Sequence, residues 1–287
     1  MKRFLVSGIS ILTAALFVFC LSNLIFAGAD DAYKMQYKIA KGVTLKYNQT
    51  TESEQIMEMM GSEQTVNATT NSQIQITSEG FDSKGHLVYV MQVTSFKIDL
   101  DSGMLDTTLV DPEALVGKRI QKVIGVHGDQ VKSSELDSIK LNPMFSRIFT
   151  SDSEFLPNLP TAELKMGVPV KQTDTDTSKS RSGKNVIKSD MEFTLQGTES
   201  KLGYDCLKID FKGEVSIVGN GNYRGMMDYA LEGDGEVSGT MYFAHKEGIV
   251  VATSSTSDME LTMAFTGQQS MTIPLSQTLT SKLTLVK

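Results

Sequence analysis

The feature that most constrains this chain is an alternating stretch, residues 239–265, that reverses once at a polar turn. Thr240 to Phe243 predicts one strand, the sequence from His245 to Gly248 predicts a turn, and the chain from Ile249 onward predicts the returning strand. Four apolar side chains then share one face of a pleated strand: Met259, Leu261, Met263 and Phe265. Such a face needs a cover, which is either the protein's own core or a bound apolar molecule.

Short apolar runs separated by Thr, Ser and Gly recur along the rest of the chain, which favours a mainly β fold. We expect an antiparallel curved sheet or half-barrel with a short helical connector in the middle. Residues 30–134 would form an N-terminal β half, residues 135–184 a helical and polar connector, and residues 185–287 a C-terminal β half. Residues 36–287 would form one globular domain. The order around Gly85 resembles that around Gly248, so two related halves and an unrepeated sheet both stay open.

Individual strands and turns follow from local patterns. Residues 43–60 and 63–78 predict a hairpin about Gly61, residues 87–98 a central strand apolar on both faces, and residues 119–126 and 130–133 another hairpin. The sequence Gly219-Asn220-Gly221-Asn222 is the strongest turn pattern. Residues 171–184 are polar and predict a solvent loop, and the spaced carboxylates of residues 99–106 predict a solvated turn because they lack calcium-loop spacing.

The middle of the chain differs in composition. Prolines cluster between residues 135 and 164, and residues 141–149 have apolar side chains at helix spacing. An amphipathic helix there is expected to be either a lid across the mouth of a β structure or a plain connector.

The N-terminus has the order of a secretory signal peptide. Lys2 and Arg3 precede an apolar run and the small residues Ala27-Gly28-Ala29. We expect cleavage near Ala29 and export to the periplasm or beyond the cell, with an uncleaved membrane anchor as the alternative.

Charge and cysteine content exclude some partners. Removing residues 1–29 leaves 25 basic against 34 acidic residues, a net charge of −9, so a nucleic-acid-binding surface is not expected. Cys206 is the one cysteine of the mature chain, and we expect it to be a buried small hydrophobe rather than a nucleophile.

The sequence contains no recognisable catalytic constellation. His86, His127 and His245 each fall in a predicted turn, and none has the spacing of a metal site. No nucleophile elbow or phosphate-binding loop occurs. We therefore expect no enzyme activity, no metal and no cofactor.

Apolar surface is the remaining candidate for function. Methionine is frequent, with 16 residues, and its flexible thioether suits surfaces that accept varied apolar partners. The candidate ligand-binding residues lie on the two strands of the opening hairpin: Met241, Phe243, Met259, Leu261, Met263 and Phe265. An ordinary core without tryptophan is the alternative.

Several motifs in the second half carry a resemblance. Gly203-Tyr204-Asp205-Cys206, the spaced Gly235 and Gly239 before Tyr242-Phe243, and Lys246-Glu247-Gly248 resemble a family of exported bacterial proteins of unknown function. More remotely, the arrangement is similar to the periplasmic lipoprotein carriers of the Lol type, whose half-barrel holds acyl chains. That resemblance implies binding of a lipid or a lipidated protein. The chain is longer than those carriers and lacks a lipid-attachment cysteine.

Two functions remain open. The first is a non-enzymatic envelope protein that binds a lipid or other apolar ligand on a concave sheet. The second is a structural or protein-interaction envelope protein with a solid core and no small ligand.

Overall fold

The computed structural model describes residues 31–59, 61–102, 115–137, 155–180, 183–223, 227–266 and 270–286. Every regular element among them is a β-strand, which confirms the mainly β prediction. None of these residues belongs to a helix long and apolar enough to span a membrane. The predicted signal peptide and the predicted helix at residues 141–149 lie outside the described residues.

The structure describes thirteen strands, numbered here in chain order. They are β1 (Ala32–Tyr33), β2 (Thr44–Met59), β3 (Ser62–Phe81), β4 (Leu87–Ser102), β5 (Arg119–Ile124), β6 (Gln130–Glu135), β7 (Leu164–Lys165), β8 (Pro169–Ser180), β9 (Gly183–Lys201), β10 (Tyr204–Tyr223), β11 (Met227–Ala244), β12 (Ile249–Thr266) and β13 (Met271–Val286).

Eleven of these strands form a single antiparallel sheet in the order β6-β5-β4-β3-β2-β13-β12-β11-β10-β9-β8. The first long strand, β2, pairs with the last, β13, so the N-terminal and C-terminal strands join at the centre of the sheet. β6 and β8 are its two edges, so the described sheet is not closed into a barrel. β1 and β7 form a separate two-stranded ribbon.

Most predicted strands are present, but they are longer than the sequence indicated. The predicted hairpin of residues 43–60 and 63–78 is confirmed by the pairing of β2 with β3, and the turn at His245–Gly248 joins β11 to β12 as predicted. The predicted turn at Gly219–Asn222 is wrong, because these residues lie inside β10 and pair with β9 and β11. The predicted solvated turn beginning at Asp99 is also wrong up to Ser102, since β4 continues through it.

The polar segment predicted as a solvent loop forms the edge strand β8. Its backbone pairs with β9 from Pro169 to Ser180. Thr and Asp alternate along β8, so neither face of the strand is apolar and the sequence shows no strand pattern there. Charged residues that point inward, such as Asp174, also protect an edge from pairing with other chains.

The sheet curls strongly, as two hydrogen bonds from adjacent residues show. The Tyr37 N–H donates to Val126 O (2.8 Å), just after β5, and the Lys38 N–H donates to Gly248 O (3.2 Å), just before β12. In a flat sheet five strand spacings would separate β5 from β12 by roughly 24 Å. Since two neighbouring residues reach both, the sheet must bend around them.

The core lies at one end of the curled sheet, where irregular segments fill the interior. Six side chains from residues 35–39 and 155–164 are almost fully buried there: Met35, Tyr37, Ile39, Leu156, Leu159 and Leu164. The Tyr37 hydroxyl donates to Pro157 O (2.7 Å), and the Leu159 N–H donates to His127 O (2.6 Å), which ties the segments together and to the sheet. No part of this filling is helical within the described residues.

Candidate functional site

The long strands continue well beyond the core, and this part is called the distal half. It comprises residues 49–57, 62–72, 183–193, 211–221, 227–239, 253–266 and 271–281 of seven adjacent strands. Strand pairing places the odd-numbered residues of β2 and β9–β13 on one face, together with the even-numbered residues of β3. This inner face is continuous with the core, because Met241, Phe243 and Leu283 lie on it and are buried.

The two faces differ sharply in charge. Within the seven segments of the distal half, the inner positions hold no Asp, Glu, Lys, Arg or His. The outward positions of the same segments hold twelve acidic residues and three lysines. Asp190, Glu214, Glu236 and Asp258 even lie directly opposite one another on four neighbouring strands. The outer face therefore suits water, whereas membrane-spanning strands present an apolar band to lipid.

Two of the predicted ligand-binding residues belong to the core. Met241 is 2% exposed and Phe243 is fully buried. The Phe243 ring meets the Tyr37 ring edge to face, with centroids 6.2 Å apart. Because the protein's own side chains cover both residues, the candidate surface is confined to the other four.

Those four residues lie together on the inner face of β12 at the distal end. Met259, Leu261, Met263 and Phe265 are half-buried, and their cross-strand neighbours are also largely apolar. The apolar patch is defined by these four and the residues beside them: Leu231, Ile217, Ile273, Leu275 and Met57. Three two-residue steps along β12 and four strand spacings across give a sheet area of roughly 400 Å².

A polar zone separates this patch from the core. The hydroxyl belt is defined by inner-face residues of β12, β13, β2 and β3: Thr253, Ser255, Ser257, Ser281, Gln49, Thr51, Ser53, Thr70 and Ser72. Ser255, Ser281, Thr51 and Thr70 stand directly opposite one another in a single row across four strands. In the next row toward the distal end, the apolar Leu279 lies between Ser257 and Ser53. Gln277 and Gln55 lie between the belt and the patch.

Glycines on the inner face allow these side chains to lie low. A Cβ placed on Gly235 would come 2.6 Å from Met259 Sδ, and one on Gly233 would come 2.5 Å from Leu261 Cδ2. Met259 and Leu261 therefore lean across β11 into space that any larger residue would occupy. Because glycine has no side chain to crowd a concave face, glycines there also let a sheet bend.

The outer face has a shallow depression of its own, about 690 Å³ in volume. It crosses β8 to β12, and half of its lining residues are charged. Lys212 Nζ lies 3.4 Å from Glu192 Oε1 within the lining, and Lys188, which is outside the lining, has its Nζ 2.6 Å from Oδ2 of the lining residue Asp190. The Lys188 hydrogen bond holds the pKa of Asp190 below its usual range. These exposed pairs are ordinary features of a hydrated surface.

The three histidines lie in turns or connecting segments at the core end of the sheet, as expected. His86 Nδ1 is 3.1 Å from Asp82 Oδ2, and the His86 backbone N–H is the main cause that keeps the pKa of Asp82 below its usual range. The rings of His245 and Tyr33 meet edge to face, with their centroids 5.4 Å apart. Among the described residues no group of three or more His, Cys, Asp or Glu could hold a metal ion.

Cys206 is fully buried in β10, beside an ion pair. Its thiol donates to Tyr204 O (3.7 Å), and burial raises the pKa of Cys206 to about 11. Asp205 accepts from Lys246 Nζ (2.8 Å), which holds the pKa of Asp205 below its usual range. A thiol that stays protonated at neutral pH is a poor nucleophile.

No family model matches the chain, and no curated protein matches it. Three solved structures are similar at low TM-score. An outer membrane channel from Pseudomonas putida F1 is 6% identical, with 88% of this chain and 98% of that chain covered and a TM-score of 0.23. OccK11 of Pseudomonas aeruginosa is 5% identical, with 88% and 100% covered and a TM-score of 0.19. OmpT of Vibrio cholerae is 6% identical, with 86% and 100% covered and a TM-score of 0.13. Such scores do not indicate a shared fold.

The hydroxyl belt was missed in the sequence because its strands are polar on both faces there. Thr253 to Ser257 contains only Ser and Thr, so alternation gives no direction. The pattern that locates these residues is continuity with Met259 to Phe265, which lie at the same odd positions of one strand.

Proposed function

We propose that this protein is a non-enzymatic, exported envelope protein that binds the acyl chain of a lipid on the apolar patch. Met259, Leu261, Met263 and Phe265 form the centre of the site. The expected signal peptide accounts for export, and the acidic outer face accounts for solubility in an aqueous compartment.

The observation that carries the proposal is a contiguous apolar surface at the distal end of an uncharged concave face. The largest contiguous apolar patch on a typical monomeric protein is about 300–600 Å² and is often functional. The patch is rich in methionine and leucine, whose flexible or branched side chains adapt to alkyl chains of different shape. An acyl chain makes no hydrogen bonds, which matches the uncharged inner positions of the distal half.

The experiment measures binding of a fluorescent fatty acid to the purified protein, together with native mass spectrometry for co-purified lipid. Met263→Asp should abolish binding while leaving the protein folded, because an aspartate on a half-exposed face stays hydrated. The matched control is Thr262→Asp, one residue away on the outward face, which should bind normally.

A second control separates the patch from the core. Leu283 is 5% exposed on the inner face of β13, so Leu283→Asp buries a charge and should unfold the protein. If Met263→Asp also unfolds, or if the wild type neither carries nor binds a lipid, the proposal is wrong.

A structural or protein-interaction role with a solid core is the second candidate. The extensive buried cluster at the core end supports it, since 28 of the described residues form one continuous core. A partner recovered with a protein that binds no fatty acid would favour this function.

A further inference from the structure

The hydroxyl belt gives the proposed ligand a second part. It lies between the buried core and the apolar patch on the same inner face, so a chain on the patch would have its next atoms beside the belt. This inference deepens the proposed function and rests on it.

The belt offers hydrogen-bonding groups that the protein itself uses little. The two side-chain hydrogen bonds of the belt are both long. Gln277 Nε2 donates to Ser53 Oγ (3.3 Å), and Ser72 Oγ donates to Gln49 Oε1 (3.5 Å). Among the described residues, the row of Ser255, Ser281, Thr51 and Thr70 makes no side-chain hydrogen bond. Neighbouring Cβ atoms in such a row are about 5 Å apart, so the row presents a line of hydroxyls that donate and accept.

The belt has no charge to match an ionic head group. Inner positions of the distal half hold no Asp, Glu, Lys, Arg or His, and the carboxylates of Asp174 and Asp176 on that face belong to the edge strand β8. A phosphate or carboxylate would lose hydration there without gaining a cation. The acidic outer face further disfavours an anionic ligand through long-range repulsion.

We propose that the ligand is an amphiphile with an uncharged, hydroxyl-rich head group, such as a sugar. The head group hydrogen-bonds to the hydroxyl belt, and the alkyl chain lies on the apolar patch toward the distal end. The buried side chains of Met241 and Leu283 limit how far the head group can move toward the core.

The test compares three dodecyl amphiphiles below their micelle-forming concentrations: dodecyl maltoside, dodecylphosphocholine and dodecyl sulfate. Their alkyl chains are identical, so any difference in affinity belongs to the head group. Calorimetry should give at least tenfold tighter binding of the maltoside than of either other compound. Each hydrogen bond gained is worth about 1 kcal/mol, so two or three suffice for that ratio.

Matched variants test whether the hydroxyl belt causes the tighter binding of the maltoside. The combination Thr51→Val, Ser255→Ala and Ser281→Ala should weaken binding of the maltoside about tenfold, while dodecylphosphocholine, dodecyl sulfate and the fatty acid should bind as they do to the wild type. The control combination Ser254→Ala and Thr280→Val changes outward neighbours on β12 and β13 and should keep the preference. Thermal melting confirms that both variants fold.

Each outcome is decisive. Equal affinities in the wild type, or a maltoside affinity that is unchanged in the belt variant, overturn the head-group inference and leave the proposed function standing. Failure of all three amphiphiles and of the fatty acid to bind overturns both.

Discussion

At the scale of single residues, position relative to the core decides what a side chain does. Phe243 and Phe265 lie on opposite strands of one hairpin and both face inward. Phe243 is fully buried, whereas Phe265 is half-buried at the distal end. Alternation in the sequence identifies the face correctly but does not reveal where along the strand the core ends. That depends on residues 35–39 and 155–164, which are distant in sequence.

Cys206 gives a prediction about pH. Burial raises the pKa of its thiol from 9.0 to about 11, so the folded protein holds that proton more tightly than the unfolded chain. The thiol's contribution to stability is therefore complete below pH 9 and is lost as the pH rises through 11. Urea unfolding from pH 8 to 11 should show a steeper loss of stability in the wild type than in Cys206→Ala.

Reactivity provides the control for that measurement. Iodoacetamide at pH 8 should modify Cys206 only after unfolding, because the side chain has no exposed surface. Rapid modification of the folded protein, or identical pH profiles for the two proteins, would contradict the assignment of Cys206 as a buried structural residue.

At the scale of elements, glycine is the residue whose role the sequence concealed. Gly219 and Gly221 predicted a turn, yet they are inner-face positions of β10 in continuous pairing. A Cβ at Gly183 would come 2.8 Å from the hydroxyl of Tyr229, two strands away, so this side chain extends over the space that the glycines leave. Turn rules describe glycine's freedom of backbone rotation and do not anticipate a position where the missing side chain matters.

Gly235 tests this role of glycine directly. In Gly235→Val the added side chain would meet Asp258 O and Met259 Sδ, so the sheet must open locally. Overpacking of this kind costs about 1–3 kcal/mol, or a melting temperature lower by roughly 3–10 °C in a chain of this size. Ala230→Val is the control, because Ala230 is exposed on the outward face of the same strand. Equal melting temperatures for the two variants would show that the sheet tolerates side chains there.

The sequence predicted the fold class and the apolar residues of β12. It did not predict the hydroxyl belt, the edge strand β8 or the order of strands in the sheet, and each omission has a physical reason. The hairpin from Thr240 to Phe265 was predicted from alternation because its inner residues are apolar at both ends. β8 was missed because most of its side chains are polar on both faces and leave no periodic apolar pattern. Sheet order was also beyond the sequence, since the pairing of β2 with β13 joins residues more than 200 positions apart.

At the scale of the whole molecule, stability and binding occupy different ends of one sheet. The core half is packed on the inner face by residues 35–39 and 155–164, and it includes long-range bonds such as Tyr47 hydroxyl to Val250 O (2.9 Å). The distal half has the same backbone pairing with half-exposed inner side chains. Local opening follows the number of buried contacts, so the two halves of one strand should open at different rates.

Hydrogen exchange read by mass spectrometry tests this division along β12. Peptides covering residues 249–252, all of which are buried, should exchange most slowly. Peptides covering residues 259–265 should exchange faster, and dodecyl maltoside should slow them while leaving residues 249–252 unchanged, because the ligand contacts only the distal half. The belt variant should lose much of this protection. Uniform exchange along β12, or protection by the ligand at the core end, would contradict the separation of a stabilising end from a binding end.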